Sequence, residues 1–337
     1  MINNIYQLVK PKVFNIKHVG IHIDKNIIIK PRYMSICHAD QRYYNGQRDV
    51  KILEKKLPMA LIHECCGEIA YDYSGKFKIG QKVALIPNFN LDKNYNFFEN
   101  YGKNAGFLSS GYDGFMREFV NLNSDRIINF EDIDLKIASI TEFVSVAVHS
   151  VNRFLKISHY IKNRIGVLGD GSLAYILCLI LKKMLKKSKI IVIGKNQNKL
   201  NLFDFVDESY ISNNISENLE FDHAFECVGG EGSSSAIQDI IKHINPLGSI
   251  VLLGVTENKV YIDTRNILEK GLTLVGSSRS GKVDFEKALF LMKNLNFQKK
   301  LEKIIYEDEP VESIEDIHRV FNTDLKTSFK TVFEWKI

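Results

Sequence analysis

The sequence contains no C-x-x-C pair, and its five cysteines, Cys37, Cys65, Cys66, Cys178 and Cys227, are odd in number. A disulfide framework is therefore not expected, and the thiols are read as free or as metal ligands. No segment reaches the ~18 consecutive apolar residues of a spanning helix. The longest apolar run, in YILCLILKKMLKK, is short and ends in lysines. The opening MINNIYQLVK has no basic stretch followed by an apolar one, which predicts no secretory leader. The expectation is a soluble cytoplasmic protein without membrane association. Charge of one sign is also scarce: 45 basic against 40 acidic side chains leaves +5 over 337 residues. A dedicated nucleic-acid binder clusters its basic residues, and no such cluster interleaved with aromatics stands out. Internal repeats and low-complexity linkers are absent.

What is present is an ordinary globular composition, 45% hydrophobic, in a length that suits about two domains. The first ~140 residues hold short β-rich segments such as NIIIKPRYMSI and QKVALIP between Gly and Asn turns, an irregular, mostly β domain. Residues 88 to 110 read as loop. From about residue 133 the texture changes. DLKIASITEFVSVAVHSVNRF has helical periodicity, with Asp132 or Asp134 as its cap. Apolar strands RIGVL, KIIVI, FDHAFE, GSIVLL and LTLVG then alternate with helical segments, which predicts a parallel, doubly wound α/β sheet. The tail KTSFKTVFEW alternates like a half-exposed strand and is expected to return to the first domain. The boundaries read are 1–145, completed by 295–337, and 146–294.

Gly169-Asp170-Gly171-Ser172-Leu173-Ala174 fits G-x-G-x-x-[GA] and lies between a strand and a helix, the context in which its glycines admit a pyrophosphate to a helix N-terminus. A generic Gly turn is the bland alternative. The second strand ends in Gly194-Lys195 with Lys199 four residues on, and no carboxylate stands there to hold a ribose 2′-hydroxyl. Lysine at that place suits a 2′-phosphate, so NADP(H) is expected over NAD, unless both lysines are merely solvated. Val228, Gly254 and Ser277 complete the candidate cofactor set.

Three separated pieces carry metal-ligand types: Cys37-His38-Ala39-Asp40, His63-Glu64 and Glu142. Thiolate, imidazole and carboxylate suit Zn²⁺, and a catalytic site keeps one position open. Each piece alone is weak evidence, since a lone Cys is usually a small buried hydrophobe. Their order upstream of the glycine fingerprint is the stronger signal.

With these motifs in hand, the sequence resembles the zinc-dependent medium-chain dehydrogenase/reductase superfamily. Cys37-His38-Ala39-Asp40 and Ile62-His63-Glu64 match its C-x-[ST]-D and G-H-E motifs, and Gly111-Tyr112-Asp113-Gly114-Phe115 matches its glycine-rich turn. Longer runs, YMSICHADQRYYNGQRD, KLPMALIHE, SSGYDGFM, FDHAFECVGG and LEKGLTLVGSSRSG, resemble the ribitol-5-phosphate 2-dehydrogenases, which act as ribulose-5-phosphate reductases in teichoic-acid and capsule synthesis. The resemblance spans the chain. It implies a GroES-like β-barrel catalytic domain around an inserted Rossmann domain. It implies one catalytic Zn²⁺ held by Cys37, His63 and Glu64, with Glu142 as a further ligand, either glutamate binding directly or through water, and Asp40 orienting the histidine. The implied reaction is NADPH-dependent reduction of D-ribulose 5-phosphate. The implied partners are a ribitol-5-phosphate cytidylyltransferase and a second copy in a dimer.

Two departures stand out. Ala39 replaces the Ser or Thr of the proton relay, leaving water, His38 or Tyr112. The structural-zinc lobe is missing, because residues 88 to 110 contain no Cys. Cys65 and Cys66 are read as small packed residues behind the metal. Arg42, Arg48 and Arg279 are candidates for the substrate end, where a phosphate calls for cations, with Tyr43, Tyr44 and Tyr112 as possible hydrogen-bond donors; Arg279 could instead face the cofactor. Left open are another NAD(P)-dependent polyol or polyol-phosphate dehydrogenase and a zinc-free, non-catalytic NADPH-binding protein.

Overall fold

The computed structural model describes residues 2–21, 23, 27–90 and 98–337. The chain divides into two compact units, residues 1–145 with 279–337, and residues 146–278. The second unit thus ends earlier than the sequence suggests. Residues 279–294, read as nucleotide-binding, belong to the first unit.

The first unit is built on a β-sheet whose strands run in the order Ile127–Asn129, Lys82–Leu85, Glu64–Asp72, Ile27–Ser35, Lys330–Trp335, Ile305–Val311, with Val120–Leu122 pairing to Ile27–Ser35. A smaller sheet joins Val13–Gly20, Ile2–Lys10 and Met59–Ala60. The β-branched run Ile27–Ile29 pairs with Glu64–Asp72, and the register slips between Pro31 and Tyr33, where proline has no N–H to give the ladder. Lys330–Trp335 pairs antiparallel with Ile27–Ser35 through Val332–Ser35 and Phe333–Met34, so the tail does return to the first domain. It is not half-exposed, however. Lys330, Thr331, Val332, Phe333 and Trp335 are all buried, because the strand lies inside the sheet and the helix Ile314–Asp324 packs against it.

Three local expectations change. The β-rich domain also carries helices His38–Tyr44 and Val50–Lys56. The segment read as loop holds a hairpin of Asn88–Asn90 with Ala105–Phe107 and a 3-10 turn at Glu99–Tyr101; its residues 91–97 lie outside the described residues. The long periodic helix breaks in two. Asp134 caps Leu135–Ala138 by accepting from the Lys136 N–H, and Thr141–Ile157 follows.

In the second unit six parallel strands run in the order Glu208–Ile211, Lys189–Gly194, Arg164–Leu168, His223–Glu226, Ser249–Leu252, Thr273–Gly276. In chain order this is 3-2-1-4-5-6, the doubly wound dinucleotide-binding arrangement, and the crevice for ligand lies where the order reverses. The strands are near-continuous apolar runs because helices cover both faces. Ile165, Val167, Ile190–Val192, Ala224 and Phe225 are fully buried.

Two outcomes test the packing. A Cβ at Gly114 would stand 2.4 and 2.5 Å from the Leu61 and Ile62 carbonyl oxygens, whereas one at Gly20 meets nothing. Gly114→Ala is expected to lower unfolding free energy in urea by about 1–3 kcal/mol, with Gly20→Ala near neutral. In the second unit buried His223 accepts from the Ser249 N–H at Nδ1, and its Nε2 lies 3.0 Å from the Ile161 carbonyl oxygen. Burial first, and His159 beside it second, push its pKa down to about 4. A neutral imidazole is favoured in the fold, so the unfolded chain binds the extra proton between about pH 6.5 and 4. Stability is lost as pH falls through that window, by up to about 3 kcal/mol. His223→Gln is expected to flatten that stretch of the urea-versus-pH profile.

Candidate active site

Cys37 sits at the N-cap of helix His38–Tyr44, with extended backbone that directs the chain into the helix. His63 and Glu64 lead into the strand Glu64–Asp72. Their positions follow from Ile62, held at φ 68°, and from the Gly114 segment, whose N–H groups cap the Ala60 and Ile62 carbonyls. Ligand atoms of Cys37, His63 and Glu64 lie within 4.8 Å of one another, the group among the described residues whose donors could hold a metal ion. Glu142, in the first turn of Thr141–Ile157, is not part of that group. It is buried beside it, and the charges of His63 and Glu64 act on its carboxyl.

Buried hydrogen bonds fix the donors. Asp40 is fully buried. Its Oδ1 accepts from the Ile62 N–H at 3.1 Å and the Ser109 hydroxyl at 2.7 Å, and its Oδ2 accepts from the Cys37 N–H at 3.1 Å. Asp40 Oδ2 lies 3.5 Å from His63 Nδ1, a buried atom with no hydrogen-bond partner, so the carboxylate acts on the ring by its charge. On the far side Lys330 Nζ donates to Glu64 Oε1 at 2.7 Å and to the Ile36 carbonyl at 2.6 Å, and it lies over the Phe143 ring. Glu64 Oε2 is buried with no hydrogen-bond partner. One carboxylate oxygen is therefore pinned and the other carries no partner.

The electrostatics favour a cation here. Burial alone depresses the His63 pKa, but Asp40 and Cys37 outweigh it and hold it well above the usual range. Burial raises Glu64, against the pull of Lys330 and His63. Burial also lifts Glu142 to about 7, with Glu64 and Asp40 adding to it and His63 opposing. A thiolate, an imidazole and a carboxylate with an orphaned oxygen fit Zn²⁺.

The second unit carries a cavity of about 410 Å³ lined by Gly169, Asp170, Gly171, Lys195, Val228 and others. Gly169 has φ 132°, and a Cβ there would meet the Cys227 backbone at 3.1 Å, so glycine is required. Gly171 caps the helix Ser172–Met184, in which Ser172 and Leu173 open the first turn and Ala174 is buried. Lys199 lies in helix Gln197–Leu200. Lys199, Gly254 and Ser277 are not among the lining residues. Gly254 instead donates its N–H to Glu226, and the buried Ser277 donates its N–H to the Leu252 carbonyl.

Several positions that matter carry no motif. Asp170, the variable residue of the fingerprint, accepts the Lys195 and Asn196 N–H groups at 2.7 Å each. A Cβ at Gly194 would strike it at 2.6 Å. The second strand thus ends in glycine because the first turn's carboxylate already fills that place. Glu226 is buried and accepts from Val228, Gly229 and Gly254, tying two loops together. Lys330 sits in a tail that reads only as strand. Of the substrate candidates, Arg279 lies 5.0 Å over the Phe107 ring, which packs edge-on against His63 at 5.1 Å. Tyr112 is 51% exposed and touches Phe89. Arg42 is half-buried in the last turn of helix His38–Tyr44. Cys65 and Cys66 are buried, and burial pushes both thiols up, as packed residues should be.

Breaking the Lys330–Glu64 pair from one side strands a buried carboxylate. Lys330→Met is expected to cost on the order of 3 kcal/mol in the zinc-free protein. Adding Glu64→Gln should recover part of that loss, a non-additivity that chemical denaturation of both single variants and the double would read.

Comparison with known proteins gives the family. Residues 23–132 match the alcohol dehydrogenase GroES-like domain, and residues 136–332 match the glucose dehydrogenase C-terminus. The chain is 53% identical to the ribulose-5-phosphate reductase of Streptococcus pneumoniae, over all of this chain and 98% of the relative. It is 48% identical to ribulose-5-phosphate reductase 1 of Staphylococcus aureus, over 99% of each. The crystal structure of S. aureus TarJ in complex with NADPH superimposes with a TM-score of 0.89 at 45% identity, covering all of both chains. No described helix is long and apolar enough to cross a membrane. The chain belongs to the zinc-type medium-chain dehydrogenase/reductase family, in the branch that contains the ribulose-5-phosphate reductases.

Proposed function

We propose that this chain reduces D-ribulose 5-phosphate to D-ribitol 5-phosphate with NADPH, with a zinc ion held by Cys37, His63 and Glu64 and with Glu142 as a further carboxylate beside it. The convergence of those three donors within 4.8 Å carries the reading. The names of the full-length relatives support the substrate, and the NADPH in the TarJ structure supports the cofactor. A zinc ion so held supplies Lewis acidity to a carbonyl oxygen, and NADPH supplies the hydride.

The chain's own residues set the stage for that step. Asp40 acts on the imidazole by its charge, Lys330 fixes one oxygen of Glu64, and Ser109 is committed to Asp40. Ala39 offers no hydroxyl, so the proton that completes the alcohol comes through water or a neighbouring side chain such as His38. On the cofactor side, Gly169 and Gly171 let the backbone approach the pyrophosphate. Lys195, which lines the cavity at the end of the second strand with Asp170 beside it, would supply the cation for the 2′-phosphate. The reading places the enzyme in the cytoplasm as a homodimer. It hands ribitol 5-phosphate to a cytidylyltransferase that makes CDP-ribitol for a ribitol-containing wall or capsule polymer.

The test follows NADPH absorbance with D-ribulose 5-phosphate and protein of measured zinc content, alongside NADH. Turnover with NADPH, lost on chelation and restored by Zn²⁺, is the expected result; zinc-loaded protein without turnover would refute the substrate. Cys37→Ser and His63→Ala should each lose zinc and activity together. Lys195→Ala should raise the KM for NADPH about tenfold, the worth of one charge-assisted contact of about 1.4 kcal/mol, and leave the NADH value nearly unchanged.

A further inference from the structure

The first unit gathers cations around one buried ring. Tyr43, in helix His38–Tyr44, is 2% exposed. The Arg48 guanidinium lies 4.9 Å from its centroid and Lys56 Nζ 5.8 Å. Arg279 is close enough for Tyr43 to act on its guanidinium, after burial and Glu142. The three cations come from three places in the sequence: the segment between two short helices, the last turn of Val50–Lys56, and the residue where the chain re-enters this unit. Among the described residues neither Lys56 nor Arg279 has a carboxylate in an ion pair.

Two chains of contact lead from these cations to the metal-donor group. Arg279 stacks on Phe107, and Phe107 packs against His63. Lys56 Nζ donates to the Ser110 hydroxyl at 2.8 Å, and the adjacent Ser109 hydroxyl donates to Asp40, which acts on His63 by its charge. One aromatic ring therefore spaces Arg279 from a metal donor. Arg279 also holds φ 57°, a left-handed backbone that costs a non-glycine residue free energy and that recurs where a side chain is held for a ligand.

We propose that Lys56 and Arg279 form the subsite for the phosphate of the substrate, at the end remote from the reacting carbonyl. The proposal rests on the reduction reading and adds to it the groups that select a phosphorylated sugar. A phosphate dianion takes charge-assisted hydrogen bonds from guanidinium and ammonium groups, and Arg forms them in a fixed fork. Phe107 holds the Arg279 guanidinium by its face, which leaves its N–H edge for the ligand.

The experiment uses zinc- and NADPH-loaded enzyme carrying Arg279→Met, Lys56→Met or Arg279→Lys. It compares kcat/KM for D-ribulose 5-phosphate and for D-ribulose, and it measures binding of inorganic phosphate by calorimetry and as a competitive inhibitor. The expected result is that each Met variant lowers the ratio of the two kcat/KM values about tenfold or more and weakens phosphate binding by a similar factor. Arg279→Lys should retain part of both. Equal losses on the two sugars with phosphate binding unchanged would overturn the subsite, as would an unchanged ratio. Failure of the reduction reading looks different, because the wild-type enzyme would then consume no NADPH with either sugar. In that case the calorimetric arm still decides the subsite.

Discussion

A buried ion pair, Lys330 with Glu64, organises the catalytic unit. Both side chains are out of water, and a buried carboxylate without a partner is strongly unfavourable. The pair therefore survives only while the last strand of the chain lies beside the strand that begins at residue 27. The tail closes the sheet, and its Lys330 occupies one oxygen of Glu64 so that the other stays available. Asp40 does the corresponding task for Cys37 and His63, with four contacts that gather the N-cap of a helix, the turn before a strand and the Ser109 turn around one carboxylate. Two buried charges, placed from opposite sides, bring together donors that are 26 and 27 residues apart in sequence.

This also explains why the site tolerates so many ionisable groups in so little space. Asp40, Glu64 and Glu142 crowd beside His63 and Lys330, and burial raises both glutamates; a divalent cation held there would favour their charged forms. The glycine fingerprint in the other unit works by shape instead. Gly169 and Gly194 are glycines because the Cys227 backbone and the Asp170 carboxylate leave no room for a side chain. The absence of an acid at the end of the second strand and the presence of Asp170 in the first turn are thus one structural fact.

Much of this was legible in the residues. The alternation of apolar strands and helices after residue 150, and the G-x-G-x-x-A turn between a strand and a helix, depend on local patterning that survives in one dimension. Cys37, His63 and Glu64 could be picked out because their types and order are those of a zinc site. Other parts were hidden for physical reasons. Lys330 reads as a surface lysine in an alternating strand, and only its place inside the sheet makes it a buried partner. The helix expected from residue 134 breaks at Ser139–Ile140, since Asp134 caps a first short turn before the longer helix begins. The return into the first unit comes at 279 rather than 295, at a strand end with no composition change to mark it. Glu226 owes its importance to contacts made across loops, which no periodicity records.

The central claim is that one sulfur, one imidazole and carboxylate oxygen, positioned by Asp40 and Lys330, make the metal site. Zinc K-edge X-ray absorption on the zinc-loaded protein tests this most directly. The account predicts one zinc per chain with a single sulfur neighbour at about 2.3 Å and the remaining neighbours, nitrogen and oxygen, at about 2.0–2.2 Å. Two or more sulfur neighbours, or a first shell without sulfur, would contradict it.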